Sequence, residues 1–248
     1  VIALSTIAHV RRAAAQFLQP SPDQADLTVD AAEKAMVLDS LCAAVSDRYV
    51  FPETAKQVEK ALRARQKKGE YAGITSAKAF ADSLTSHLRA VAHDLHLRVH
   101  YWHDPLPKRG PDAEPSAEEI ARATLQQKRL NYGFEHVERL AGNVGYLEVS
   151  GFMGAEGSDE AIADALRFLE RTDAVIIDVR RNGGGSGEMS HYLFSHFLPE
   201  KPVQTIRVKS RDGEESRVQE SIADVLRPRR TDVPLYVLTS RGTGSAAE

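Results

Sequence analysis

Apolar positions in the first 92 residues recur at helical spacing. Ile7, Val10, Ala14 and Leu18 fall on one face before Gln19-Pro-Ser-Pro-Asp breaks the run. Asp30 followed by Glu33 has the form of a capping box, and Ala35, Met36, Leu38, Leu41 and Val45 continue behind it. Phe51-Pro52 marks the next boundary, with Pro52 suited to a first helical turn; Val58, Leu62 and Gly69 give that helix and its stop. Ser76 heads a further helix carrying Phe80, Leu84, Leu88 and Val91. Leu97, Val99 and Tyr101 then alternate with Arg98, His100 and Trp102, which predicts a strand. Residues 1–103 therefore read as a helical N-terminal domain ending in a β-strand.

The proline density of Asp104–Pro115 predicts a linker, and Ser116 with Glu119 caps a helix to about Leu130, so residues 104–132 are linker plus helix. From residue 133 the period changes. Phe134–Leu140, a turn at Gly142-Asn143 and Val144–Val149 predict a hairpin. Ser158 is placed to cap a helix bearing Ile162, Leu166 and Leu169. Ala174–Arg180 is nearly all apolar at its start, the pattern of a strand buried on both faces. A glycine loop and another helix follow, then a strand at Val203–Val208, a turn at Asp212-Gly213 and a strand from Pro234 to Ser240. Strands alternating with helices over 133–248 predict a mostly parallel, layered α/β domain.

Composition narrows the class. The 248 residues are 42% hydrophobic and 27% charged, which suits a soluble protein with a real core. Lys and Arg number 32 against 35 Asp and Glu, a net charge of −3, with no basic excess to suggest nucleic acid. No apolar run reaches the roughly 20 residues a membrane span needs. Cys42 is the single cysteine, so no intrachain disulfide forms. The mildly apolar start, Val1–Ala8, is not a complete signal peptide.

Three segments carry candidate chemistry. Asp178-Val-Arg-Arg-Asn-Gly-Gly-Gly-Ser runs from a strand end into consecutive glycines, which let main-chain N–H groups approach a ligand or an oxyanion. It is neither a phosphate-binding P-loop nor a dinucleotide fingerprint, and by itself fits a plain tight connection. Leu238-Thr-Ser-Arg-Gly-Thr-Gly-Ser-Ala-Ala-Glu248 places Ser245 between a strand and a helix start, where a nucleophile gains an exposed hydroxyl and nearby N–H donors; an inert serine N-cap is the plainer reading. His93-Asp-Leu-His-Leu-Arg-Val-His-Tyr-Trp-His103 is histidine-rich, but no metal-ligand motif is complete; His96 as a general base is the stronger functional reading.

Taken together, Tyr49-Val-Phe-Pro-Glu53, Asp94-Leu-His-Leu97, Gly145-Tyr-Leu, Asp178–Gly185 and Leu238–Glu248 resemble, in order, the tail-specific (C-terminal processing) serine peptidase family. The resemblance spans about residues 30–248. Residues 104–133 are too short for the family's PDZ domain, which points to the branch of tricorn-like proteases and relatives of interphotoreceptor retinoid-binding protein. The resemblance implies an α/β (α+β) architecture: the helical domain, then from 133 to 248 the N-terminal part of a ClpP/crotonase-like catalytic core. It implies peptide-bond hydrolysis through an acyl-enzyme on Ser245, with His96 as base. The N–H groups of Ala246 and Gly184 would form the oxyanion hole, supported by Asn182, Gly183 and Gly185. It implies no cofactor and no metal, a peptide or unfolded protein as substrate, and an exported location; a homo-oligomer is left open. The family core continues past Glu248, so this chain alone is expected to be an inactive fragment. Two other readings of the same fold remain: a non-catalytic module binding a retinoid or fatty acid, and acyl-CoA chemistry of the crotonase type. Retention of Ser245, His96 and the three glycines speaks against the first; against the second, no CoA-binding pattern stands out and Ser245 has no natural role there.

Overall fold

The computed structural model describes residues 23–105 and 116–248. The helix expected on Ile7–Leu18 and most of the proline-rich linker lie outside these residues. The chain divides into two compact units. Within the described residues, the first comprises 23–105 with Lys209–Glu214, and the second 116–208 with Glu215–Glu248. The helix after Ser116 therefore groups with the second unit rather than standing apart with the linker.

The first unit is built on α1 (Ala31–Arg48), α2 (Pro52–Lys67) and α3 (Ala77–Ala92). Their starts are set locally. Asp30 and Glu33 form the expected capping box, Pro52 opens α2, and the Ser76 hydroxyl accepts the Ala79 N–H. Leu38, Leu41 and Val45 pack with Val58, Leu62, Phe80, Leu84 and Leu88 in one core. Each such side chain stabilises the fold by roughly 1.5–3 kcal/mol on burial. Cys42 sits in this core at 1% exposure. Lys34 is also buried, and its ammonium donates to the carbonyls of Tyr71 (2.9 Å), Ala72 (3.3 Å) and Ile74 (2.9 Å), tying down the chain between α2 and α3.

The strand expected over Leu97–Trp102 does not form. Side chains, not a neighbouring strand, take its backbone groups. Thr85 Oγ1 accepts the Val99 N–H (2.9 Å), Arg89 Nε donates to the Leu97 carbonyl (3.0 Å), and Gln24 Nε2 donates to the Tyr101 carbonyl (2.8 Å). Backbone polar groups need partners, and here they find them without a ladder.

The second unit begins with α4 (Ala117–Arg129), which starts with the Ser116/Glu119 capping box. Strands β1 (Phe134–Leu140), β2 (Val144–Val149), β3 (Ala174–Asp178) and β6 (Leu235–Leu238) form one sheet in the order β1-β2-β3-β6. β1 and β2 are the expected antiparallel hairpin; β2–β3 and β3–β6 are parallel. Between them lie α5 (Ser158–Phe168), α6 (Gly187–Ser195) and a two-stranded ribbon of β4 (Gln204–Lys209) and β5 (Glu215–Glu220). This is the predicted α/β arrangement, with two corrections. Gly157, in the left-handed conformation at φ 89°, caps α5 in place of Ser158, which is its first residue. Val175 and Ile177 bury one face of β3, whereas on the other face Ala174 and Ile176 are half-buried and Asp178 is buried. That buried face packs with Leu147 and Val149 of β2, Ile162 and Leu166 of α5, and Met189 and Leu193 of α6.

Candidate active site

Two adjacent parallel strands, β3 and β6, end side by side with Asp178 paired to Leu238. The loops that leave them meet beyond the strand ends, the usual place for a site in a parallel sheet. The Thr243 hydroxyl donates to the Val179 carbonyl (2.8 Å), the Ser240 hydroxyl to the Arg180 carbonyl (2.6 Å), and the Gly244 N–H to the Asn182 carbonyl (3.1 Å). Three bonds thus fix the 240–244 loop on the 179–182 loop before either reaches its functional end.

Asp178 anchors the base of this arrangement. It is buried, takes a fork from the Arg180 guanidinium at 2.5 to 3.0 Å, and accepts the Tyr146 hydroxyl at 2.7 Å. The Arg180 side chain holds the Asp178 carboxyl well below the usual carboxylate range, opposed by burial and helped by the Arg180 N–H and the Tyr146 hydroxyl. A carboxylate that cannot be protonated near neutral pH keeps Arg180, and with it the loop, in one geometry.

The glycine run does what only glycine can do at two positions. Gly184 has φ 105° and Gly185 φ 132°. A Cβ on Gly184 would lie 2.7 Å from both the Gly244 carbonyl oxygen and Ser245 Cβ, and 3.1 Å from the Ala246 nitrogen. A Cβ on Gly185 would run into the Phe152 carbonyl. The bare Gly184 backbone is therefore pressed directly against the Ser245–Ala246 peptide. Gly183, by contrast, is exposed with open space around it.

Ser245 begins a single 3-10 turn, Ser245–Ala247, rather than a longer helix within the described residues. It is exposed and adopts φ 55°, a left-handed conformation uncommon outside glycine. Such strain persists only where the surroundings impose it. The Ala246 N–H has no acceptor among the described residues. Ser245 and Ala246 line a cleft of about 760 Å³ whose other walls include Phe152, Met153, Ile177, Leu193 and Val237.

The structure thus brings together Ser245, Ala246, Asn182 and the three glycines, and it alters one expected role. The Gly184 N–H is already donated to Asn182 Oδ1 at 2.8 Å. Within the turn, the N–H groups of Gly183 and Gly185 are the ones without an acceptor among the described residues. Asn182 is fully buried, and by joining Gly184 through its side chain and Gly244 through its carbonyl it braces both loops. Its side-chain nitrogen has no partner among the described residues.

His96 belongs to the first unit, in the turn after α3. Its ring is exposed, and Nδ1 lies 2.8 Å from Asp94 Oδ1. Asp94 Oδ2 accepts the Tyr49 hydroxyl at 3.0 Å. The sequence reading did not see this contact, although Asp94 stands only two residues from His96. Among the described residues no group of three or more His, Cys, Asp or Glu side chains could hold a metal ion.

Residues 143–248 match the family described as Peptidase family S41, and residues 27–132 match the N-terminal domain of Peptidase_S41 in eukaryotic IRBP. The chain is similar to the carboxy-terminal processing protease CtpB of Bacillus subtilis, with 32% identity over 108 residues; this covers 43% of the chain and 21% of that protein. Among solved structures, a candidate peptidase from Parabacteroides merdae is 26% identical, with 50% of this chain and 42% of that one covered and a TM-score of 0.38. The photosystem II D1 C-terminal processing protease is 21% identical, with coverages of 44% and 27% and a TM-score of 0.35. The chain spans about a fifth of the length of the curated relative and less than half of these two structures.

Proposed function

We propose, from the premise that this chain belongs to peptidase family S41, that it supplies the nucleophile of a serine endopeptidase acting on peptides or unfolded protein. The observation that carries the proposal is the exposed, left-handed Ser245, pressed against Gly184 and followed by the open N–H of Ala246. A serine in a plain helix cap needs neither the strain nor the bare backbone opposite it.

In the proposed reaction His96 Nε2 takes the proton of Ser245 Oγ as the oxygen attacks the scissile carbonyl. The carbonyl oxygen becomes an oxyanion, stabilised by the Ala246 N–H and one N–H of the Gly183–Gly185 turn. Gly183 or Gly185 is the better second donor, because Asn182 occupies the Gly184 N–H. Losing one such donor costs about 100–1,000-fold in rate. The protonated His96 then gives its proton to the departing amine, leaving an acyl-enzyme on Ser245. A water, deprotonated by the same imidazole, hydrolyses the ester and restores both residues. The apolar walls of the cleft beside Ser245 suit an apolar side chain next to the cleaved bond. The scheme calls for no cofactor. A location outside the cytoplasm is part of the proposal; no helix among the described residues is long and apolar enough to cross a membrane.

The test is labelling of the full-length protein with a fluorophosphonate probe, beside Ser245→Ala and His96→Ala. Labelling that disappears in Ser245→Ala and falls steeply in His96→Ala is the expected result. A folded protein that labels equally well without Ser245 overturns the assignment. Displacement of a bound retinoid or fatty acid, with no labelling at all, favours the binding-module reading.

A further inference from the structure

We infer that Asp94 and Tyr49 are positioning residues for His96, forming a Tyr–Asp–His chain that fixes which imidazole nitrogen is free to act as base. The inference rests on the reading of His96 as the base for Ser245. Asp94 offers His96 an acidic partner within the same turn.

The geometry is that of an oriented imidazole. Asp94 Oδ1 receives two donors from the same residue, the His96 backbone N–H at 2.9 Å and the ring Nδ1 at 2.8 Å. A bond from the backbone alone would be an ordinary local turn. The ring contact adds something a turn does not require, since it locks the rotation of an otherwise exposed side chain. Asp94 Oδ2 is held separately by the hydroxyl of Tyr49, which is 3% exposed and lies at the end of α1, 45 residues away. Each carboxylate oxygen thus has its own partner, and the carboxylate plane cannot turn away from the ring.

The chemistry follows from what each group can donate. An ionised carboxylate only accepts, so the proton shared with Asp94 sits on Nδ1 of the neutral ring, and Nε2 carries the lone pair. Imidazole in water favours the opposite tautomer, which would present an N–H where a base needs a lone pair. Asp94 is held ionised: burial pushes its carboxyl up, but the His96 backbone and ring N–H groups and the Tyr49 hydroxyl together bring it below its ordinary value. Tyr49 in turn stays a donor, because burial first, and then the neighbouring Asp94 carboxylate, push its phenol up to about 12. Nε2 has no partner among the described residues and remains free for the serine proton.

The deciding experiment separates this inference from the reading beneath it. Two-bond proton–nitrogen NMR of the full-length protein, with histidine labelled and His96 assigned through His96→Gln, reports the tautomer directly. The expected wild-type signature is Nδ1–H, changing to mostly Nε2–H in Asp94→Ala. In parallel, Asp94→Ala should lower kcat by about 10³–10⁴-fold with KM little changed, as for an acid that orients a triad histidine. Tyr49→Phe, which removes only the hydroxyl and keeps the buried ring, should cost about tenfold or less in kcat. An Nε2–H signature in the wild type, or a tautomer unmoved by Asp94→Ala in a protein that still melts cooperatively, overturns the inference. If His96→Ala retains full turnover, the base assignment fails while the tautomer still decides the role of Asp94.

Discussion

Replacing Gly184 by alanine tests how closely the glycine turn and the nucleophile depend on each other. The new methyl would lie 2.7 Å from the Gly244 carbonyl oxygen and from Ser245 Cβ, well inside contact distance. At φ 105° the backbone is also one that L-residues avoid, a strain of about 1–3 kcal/mol. Overpacking adds a further ~1–3 kcal/mol. The loops must move apart by a good part of an ångström to relieve this, and the atoms that move are those of Ser245 and Ala246. A displacement of about 1 Å at a reacting group lowers rates by about 100-fold. The assay is the second-order rate of fluorophosphonate labelling, with thermal unfolding measured on the same samples. Gly183→Ala is the matched control, since nothing lies within 4 Å of a Cβ there. Gly184→Ala should label about 100-fold more slowly, and Gly183→Ala at the wild-type rate. Equal labelling by all three proteins would refute the argument that Gly184 is required by close approach.

Two further predictions concern stability. Arg180→Ala leaves the buried Asp178 with the Tyr146 hydroxyl as its only charge-stabilising side chain among the described residues, and should lower stability at neutral pH. Because the folded-state carboxyl is depressed, its stabilisation is present above the unfolded value near 4 and lost as pH falls through the folded value. The variant should therefore unfold at a higher pH than the wild type in an acid titration followed by circular dichroism; coincident curves would contradict the role of Arg180. Lys34→Met removes the donor shared by three carbonyls, and should cost about 1–3 kcal/mol in denaturant unfolding of the first unit.

Much of this arrangement was legible before any coordinates. Capping residues announce helices through bonds only three residues long, and both predicted capping boxes formed, at Asp30/Glu33 and Ser116/Glu119. The β1–β2 hairpin and the parallel run through β3 and β6 followed from apolar patterning. The failures have separate physical causes. Residues 97–102 alternate like a strand, yet Thr85, Arg89 and Gln24 satisfy their backbone through side chains that the alternation does not announce. Gly157 took the cap expected at Ser158, because the chain enters α5 in a left-handed conformation. Asn182 claimed the Gly184 N–H through a local bond that was available to sequence reasoning but competes with the oxyanion role. The Asp94–His96 contact was just as local, and the Asp-x-His spacing was the signal for it.

Cys42 gives the molecule a built-in timer. It is the single thiol in the chain, it lies in the core of the first unit, and burial pushes its pKa up. A thiolate reagent can reach it only when that core opens, so the alkylation rate in excess reagent counts openings of the helical unit and is blind to those of the α/β unit. Set against the labelling rate of Ser245, which needs the α/β unit for the serine and the helical unit for His96, it separates two cases. Under heat or denaturant, loss of Ser245 labelling before Cys42 reacts would mean that the α/β unit gives way first, and loss that coincides with Cys42 alkylation would point to the helical unit.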